Sequence, residues 1–232
     1  MRKIVFFPFL LLFAHTVLSA QTILQQFAAV SAGAGEVADM DLPQPTTKGS
    51  LILAMPESLT PDIKVVQVTD NAEDGGNTYK QVPSSTSLCL GRYVEIWYCE
   101  NCKGGVTELK FHLSGHEQGG IHAFMEITDI ASPSLEGNGV QLSDATADKN
   151  GREVGPSIKI SGHDFVIARY SSKPRPTAVT PNLWTYKPTY VYGLSLPAGT
   201  YQPVLSGENT AGANFCMSVA AFRVASASMT QK

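Results

Sequence analysis

Two aromatic pairs carry the clearest chemistry in this sequence: Tyr93 with Trp97, and Trp184 with Tyr186. On an extended strand, residues four apart point the same way and lie roughly 13 Å apart, so Tyr93 and Trp97 would share one face. Trp184 and Tyr186 fall in a segment stiffened by Pro174, Pro176, Pro181 and Pro188, with Tyr190 and Tyr192 just beyond. Planar rings presented this way stack on the apolar faces of sugars, while neighbouring Glu, Lys and Asn side chains hydrogen-bond hydroxyls. The competing reading has Trp97 covered, by the 131–157 segment or by the proline-rich loop, and filling a second small core. These four residues form the candidate ligand-binding set, with a surface glycan or a partner protein as the ligand.

The other constellations of reactive residues lack the spacing that chemistry would need. Cys99-Glu-Asn-Cys102 has the C-x-x-C spacing, but it sits between two apolar runs and not at the start of a helix, where a low-pKa redox thiol would stand. Lys103 occupies the place where a c-type haem motif needs His. A zinc knuckle would need a second close pair, and Cys89 and Cys216 stand alone. In an exported chain four cysteines suggest two disulfides; the expected pairs are Cys99–Cys102 and Cys89–Cys216. His112, His116 and His122 crowd together with Glu117 and Glu126 but match no metal-ligand spacing, and His163-Asp164 reads as a turn. Asp70, Asn71, Asp74 and Asn77 offer oxygens to Ca²⁺, yet they lack EF-hand order and are explained by turn chemistry. Ser-Gly-His occurs at 114–116 and at 161–163 without a nucleophile elbow around it. Glu95, Glu108 and Glu126 would serve as a glycosidase pair only if two of them faced a cleft about 5–9 Å apart. For Glu95 the simpler expectation is a cross-strand ion pair with Lys110. No catalytic residue, metal ligand or cofactor is assigned.

The elements that must position these residues read as strands. Tyr93–Cys99 and Val106–Leu113 alternate and flank a polar loop ending in Gly104-Gly105, which predicts a hairpin. In that hairpin Val94, Ile96 and Tyr98 would share the core side with Leu109, Phe111 and Leu113. Tyr93, Glu95, Trp97 and Cys99 would face outward with Glu108, Lys110 and His112. Further strands are expected at 51–55, 63–69, 78–82, 121–130, 158–160, 164–170, 190–196, 200–205 and 215–224, with one more near 140–142. No stretch longer than about ten residues has clean helical periodicity. Some ten strands in one body predict an all-β fold, an antiparallel β-sandwich of jelly-roll type.

The boundaries follow from composition. Arg2 and Lys3, an apolar run from Ile4 to Phe13 broken by Pro8, and Ser19-Ala20 read as a secretory signal peptide over 1–20. That run is too short to span a bilayer, and no later run is long enough, so no membrane span is expected in the mature chain. Residues 21–48 read as an arm or edge strand, 49–226 as the sandwich domain and 227–232 as a tail. Taking away Arg2 and Lys3 leaves 15 basic side chains against 20 acidic ones, a net charge of −5. With no basic block, a nucleic-acid partner is not expected.

Val-Thr-Asp at 68–70 with Gly-Asn-Thr-Tyr at 76–79, Ile-Trp-Tyr at 96–98, Gly-Gly-Val-Thr at 104–107, Phe-Met-Glu-Ile at 124–127 and Val-Ala-Ala-Phe at 219–222 resemble a group of secreted bacterial β-sandwich domains. The resemblance spans roughly 49–224 and implies the fold; it brings no activity with it. The chain departs from the group in the longer turn around Glu73-Asp74-Gly75 and in Cys99 and Cys102, so no binding residue is carried over. The expectation is a secreted, non-catalytic binding module, extracellular or periplasmic. The alternatives are a structural or self-associating adhesive module, and a hydrolase or lyase using carboxylates or histidines.

Overall fold

The computed structural model describes residues 21–31, 35–83, 88–89, 91–143, 152–173, 176–207 and 214–225. The expected signal peptide and the 227–232 tail lie outside these residues. Every regular element among the described residues is a strand, and all pairings are antiparallel. In chain order they begin with β1 (Ile23–Ser31), β2 (Gly35–Asp41), β3 (Leu51–Met55), β4 (Val65–Asp70), β5 (Lys80–Gln81), β6 (Leu88–Cys89) and β7 (Arg92–Tyr93). Next are β8 (Trp97–Cys99), β9 (Glu108–Glu117), β10 (Gly120–Ile127), β11 (Ile130–Ser143), β12 (Glu153–Val154), β13 (Ile158–Ile160) and β14 (Asp164–Lys173). The last are β15 (Ala178–Thr180), β16 (Thr185–Tyr186), β17 (Tyr190–Leu196), β18 (Gly199–Tyr201), β19 (Val204–Ser206) and β20 (Asn214–Val224). The strands outnumber the expected ten because several expected loops carry short paired segments. The proline-rich connection, for example, contains both β15 and β16.

Parity along the strands shows how the sheets stack. Ile52 and Ala54 of β3 join an apolar cluster with Met40 of β2, Val65 and Val68 of β4, and Leu109, Phe111 and Leu113 of β9. Leu51, Leu53 and Met55, pointing the other way, join a second cluster with Phe165 and Ile167 of β14, Tyr190 and Tyr192 of β17, and Ala220 and Phe222 of β20. The opposite faces of β14 and β20 supply Val166, Ala168, Met217, Val219 and Ala221 to a third, shared with Ile158 and Ile160 of β13 and Leu205 of β19. Two five-stranded sheets, β1-β10-β3-β8-β5 and β11-β20-β14-β17-β16, therefore lie back to back in the middle. The β2-β9-β4 sheet covers one outer side, and β12-β19-β15 with β13-β18 cover the other. Strands buried on both faces read as unbroken apolar runs, and Leu-Ile-Leu-Ala-Met at 51–55 is such a run.

The expected hairpin is not formed. β8 pairs with β3 and β5, whereas β9 pairs with β2 and β4. The loop between them crosses from one sheet to the sheet facing it. Trp97 and Cys99, expected to face out, pack in the first cluster with Leu109, Phe111 and Leu113. Ile96 and Tyr98 turn away from these residues into the second cluster. Lys110 accordingly pairs with Asp39 and Glu108 and not with Glu95.

The crossing loop depends on a close backbone approach. Gly104 has φ +79°, and a Cβ there would lie 2.6 Å from the Lys48 amide nitrogen, so glycine is required on both counts. Residues 21–48, expected as an arm or edge strand, supply β1 and β2, each the edge strand of a different sheet.

One charged network ties the two central sheets together. Arg169 of β14 is fully buried, at 0% exposure. Its Nη2 donates to Glu57 Oε2 at 2.7 Å and to the Ile121 carbonyl at 3.3 Å, and its Nη1 donates to the Thr189 carbonyl at 2.5 Å. Glu57 Oε1 accepts from Ser171 Oγ at 2.9 Å and from Arg92 Nη1 at 3.4 Å.

Candidate ligand pocket

A pocket of about 210 Å³ opens at the seam of the first sandwich, lined by Lys64, Val65, Val66, Gln81 and Trp97. Its walls are two edge strands, β4 of the outer sheet and β5 of the inner one, with β8 behind. Glu95 bridges them. Its Oε2 accepts from the Val65 amide at 2.9 Å and its Oε1 from Gln81 Nε2 at 2.8 Å. An edge strand has backbone donors without a ladder partner, and Glu95 satisfies one of them from inside. Only 2% of Glu95 is exposed. Burial pushes its carboxyl up to about 7, against the lowering pull of its two donors and of the Lys64 charge.

Trp97 is 8% exposed and its indole Nε1 has no hydrogen-bond partner. Buried indole N–H groups normally find an acceptor. Val66, at 51% exposure, adds an apolar rim.

The four aromatics do not form the expected common surface. Trp97 belongs to the first cluster and Trp184, at 6% exposure, to the third, with the second cluster between them. Tyr186 is half-buried, stacks on Tyr170 at 6.4 Å and donates its hydroxyl to the Pro176 carbonyl. Tyr93 is half-buried on β7, in a two-stranded ribbon with β6. Of the four, Trp97 alone lines this pocket. The physical reason is that β8 is covered on both sides, so neither of its faces is free to present an aromatic platform.

The remaining constellations resolve into structural roles. Glu126 accepts from Gln25, the Thr47 amide and Ser50, and Glu108 pairs with Lys110. With Glu95 tied to the seam, each of the three candidate glycosidase carboxylates has separate partners. Asp70 accepts from the Ala72 and Asn77 amides, Asn77 Nδ2 and Tyr79 Oη, which builds the turn expected of it. His112 bonds Thr69 Oγ1, His116 lies beside Glu36, and His163 contacts the Ser195 carbonyl. Among the described residues no three His, Cys, Asp or Glu side chains come together as a metal-holding group.

His122 meets Ser31 Oγ at 3.1 Å and Glu117 Oε1 at 3.9 Å, both through Nε2. A hydrolytic triad needs the carboxylate at the other ring nitrogen, and Nδ1 has no partner here. Burial and the Arg169 charge press the imidazole down to about 4, which makes it a weak base. A Cβ on Gly120 would fall 2.0 Å from Glu117 Oε1, so this cluster packs directly onto bare backbone.

Cys99 and Cys102 are free thiols, which corrects the expected loop disulfide. Cys102 Sγ is held between Ser50 Oγ and the Thr47 carbonyl, each at 3.2 Å. Burial pushes the Cys99 thiol up to about 12, leaving little thiolate for exchange. Cys216 is disulfide-bonded; the side chain of Cys89, its expected partner, lies outside the described ones.

Lys64, Val65, Val66 and Gln81 were not singled out from sequence. Glu95 inside the otherwise apolar run Val94–Tyr98 was the available signal, since a carboxylate there must find donors on a neighbouring strand. No protein-family model, curated protein or solved structure matches the chain.

Proposed function

We propose that this chain is a secreted, non-catalytic binding module that takes a surface glycan or partner group at the Trp97 pocket. The observation that carries this reading is the buried, unpartnered indole N–H of a residue lining an open pocket. Signal-peptide composition supports export, and a Cys89–Cys216 bridge would suit an oxidising compartment. The scattered partners of Glu95, Glu108, Glu126 and the histidines argue against hydrolase or lyase chemistry. Replacing Trp97 by Phe keeps a ring and removes the donor. On a glycan array followed by calorimetric titration, Trp97→Phe is expected to weaken binding about tenfold, the worth of one hydrogen bond, with Tm within about 3 °C of wild type. Unchanged affinity would sink the assignment of Trp97.

A self-associating module is the second reading, favoured by β1. This nine-residue edge strand, Ile-Leu-Gln-Gln-Phe-Ala-Ala-Val-Ser, has no charge and no proline. Leu24 and Val30 on it are 42% and 72% exposed. Edges of this kind template pairing with another chain. Sedimentation of the wild type at about 100 μM is expected to show dimers under this reading, and Leu24→Lys with Val30→Lys to abolish them. A wild type that sediments as a monomer throughout would dismiss it.

A further inference from the structure

With a signal peptide over 1–20, export and cleavage leave Gln21 as the first residue, just ahead of β1. Gln21 is 6% exposed. Its Oε1 accepts from the Ser195 amide at 2.7 Å and from Ser195 Oγ at 3.5 Å. Ser195 has φ +48° and lies where β17 bulges, the β14 ladder passing from Asp164–Leu196 to Val166–Gly193. A bulge takes a backbone amide out of the ladder, and Gln21 gives this one an acceptor. The contact ties the leading end of β1, in one central sheet, to β17 in the other. Only the oxygen of the side-chain amide is used: Nε2 is buried with no hydrogen-bond partner. A terminal α-ammonium on the same residue would add a charge beside that unpaired donor, and both groups are costly to keep from water.

We propose that Gln21 is a modification site, at which the mature N-terminus closes to pyroglutamate. The proposal rests on the export reading above and on cleavage after Ala20. The α-amine nitrogen attacks Cδ of its own side chain, the Cδ–Nε2 bond breaks, and one ammonia leaves with the proton that the amine gives up. No oxidant or second substrate enters. The lactam keeps the carbonyl oxygen that Ser195 uses and discards the nitrogen that has no partner. It also puts a neutral N–H where an ammonium would stand. Gln21 is buried once β1 pairs with β10, so the ring closes before that strand docks.

The full chain, signal peptide included, is expressed in a secreting bacterium, and the exported product is read by mass spectrometry of its N-terminal peptide. The expected result is a peptide that begins at Gln21 and is one ammonia lighter than its sequence, with Edman degradation blocked. Pyroglutamyl aminopeptidase is expected to unblock the denatured chain and to leave the folded chain untouched. A form made with one extra methionine ahead of Gln21 cannot cyclise and is expected to melt about 3 °C lower, the effect of one buried unpaired donor. A chain that begins at Gln21 with a free amine overturns the cyclisation and leaves export standing. A chain that keeps residues 1–20, or begins elsewhere, overturns the processing and the cyclisation together. Equal melting of the two forms, or ready removal of the lactam from folded protein, overturns its seat against Ser195.

Discussion

Arg169→Leu is expected to lower the stability of the protein by about 3–5 kcal/mol, the usual cost of removing one partner from a buried ion pair. For a chain of this size that corresponds to a fall in Tm of roughly 10 °C or more. The guanidinium sits between the two central sheets and bonds Glu57, the Ile121 carbonyl and the Thr189 carbonyl. Without it Glu57 keeps Ser171 and the distant Arg92 but loses its closest cation. Adding Glu57→Leu to Arg169→Leu is expected to recover part of the loss, because two apolar groups in place of a buried pair are often tolerated. Thermal and urea unfolding of the two single variants and the double would form a complete cycle. A single Arg169→Leu variant as stable as wild type would show that the network does not hold the sheets together.

The second large effect is a dependence on pH. Burial raises the carboxyls of Glu95, Glu117 and Glu153 from 4.5 to about 7. In each case the folded state holds its proton more tightly than the unfolded state does. The stabilisation is complete below about 4.5 and is lost as pH rises through 7. His122 runs the other way: lowered from 6.5 to about 4, it stabilises the fold above 6.5 and ceases to do so as pH falls through 4. Asp164, raised from 3.8 to about 7 by burial and by Glu136 beside it, acts with the three glutamates, and four carboxyls outweigh one imidazole between these limits, which places the maximum at about pH 4.5. Scanning calorimetry is expected to give a Tm at least about 5 °C higher at pH 5 than at pH 8. Glu153→Gln removes one of the four carboxyl titrations and should flatten the profile. A Tm that climbs steadily from pH 5 to pH 8 would reverse the assignment.

Much of this architecture was legible in the sequence, and the pocket much less so. Alternation located β3, β4, β10, β14, β17 and β20. It says which residues share a face; it does not say which strand lies alongside. The hairpin expectation failed for that reason, since β8 and β9 are neighbours in sequence but face each other across a core. Alternation also treats a polar residue as a mark of a wet face. Glu95, His122, Glu126 and Arg169 are all buried, because a strand covered on both sides can bury a polar side chain wherever its neighbours supply partners. The pocket needs β4 and β5 brought edge to edge by topology, and no local pattern records that. Trp97, expected on an open outer face, packs in the first cluster and meets the pocket from inside.

The back-to-back middle sheets have a consequence for how the chain must be made. A polypeptide ending after β10 would carry an oily slab with nothing to lie against, and the half from β11 onward would carry its mirror. Neither fragment can be secure before the other exists. Burial of the two facing slabs therefore waits until the last strands have been made.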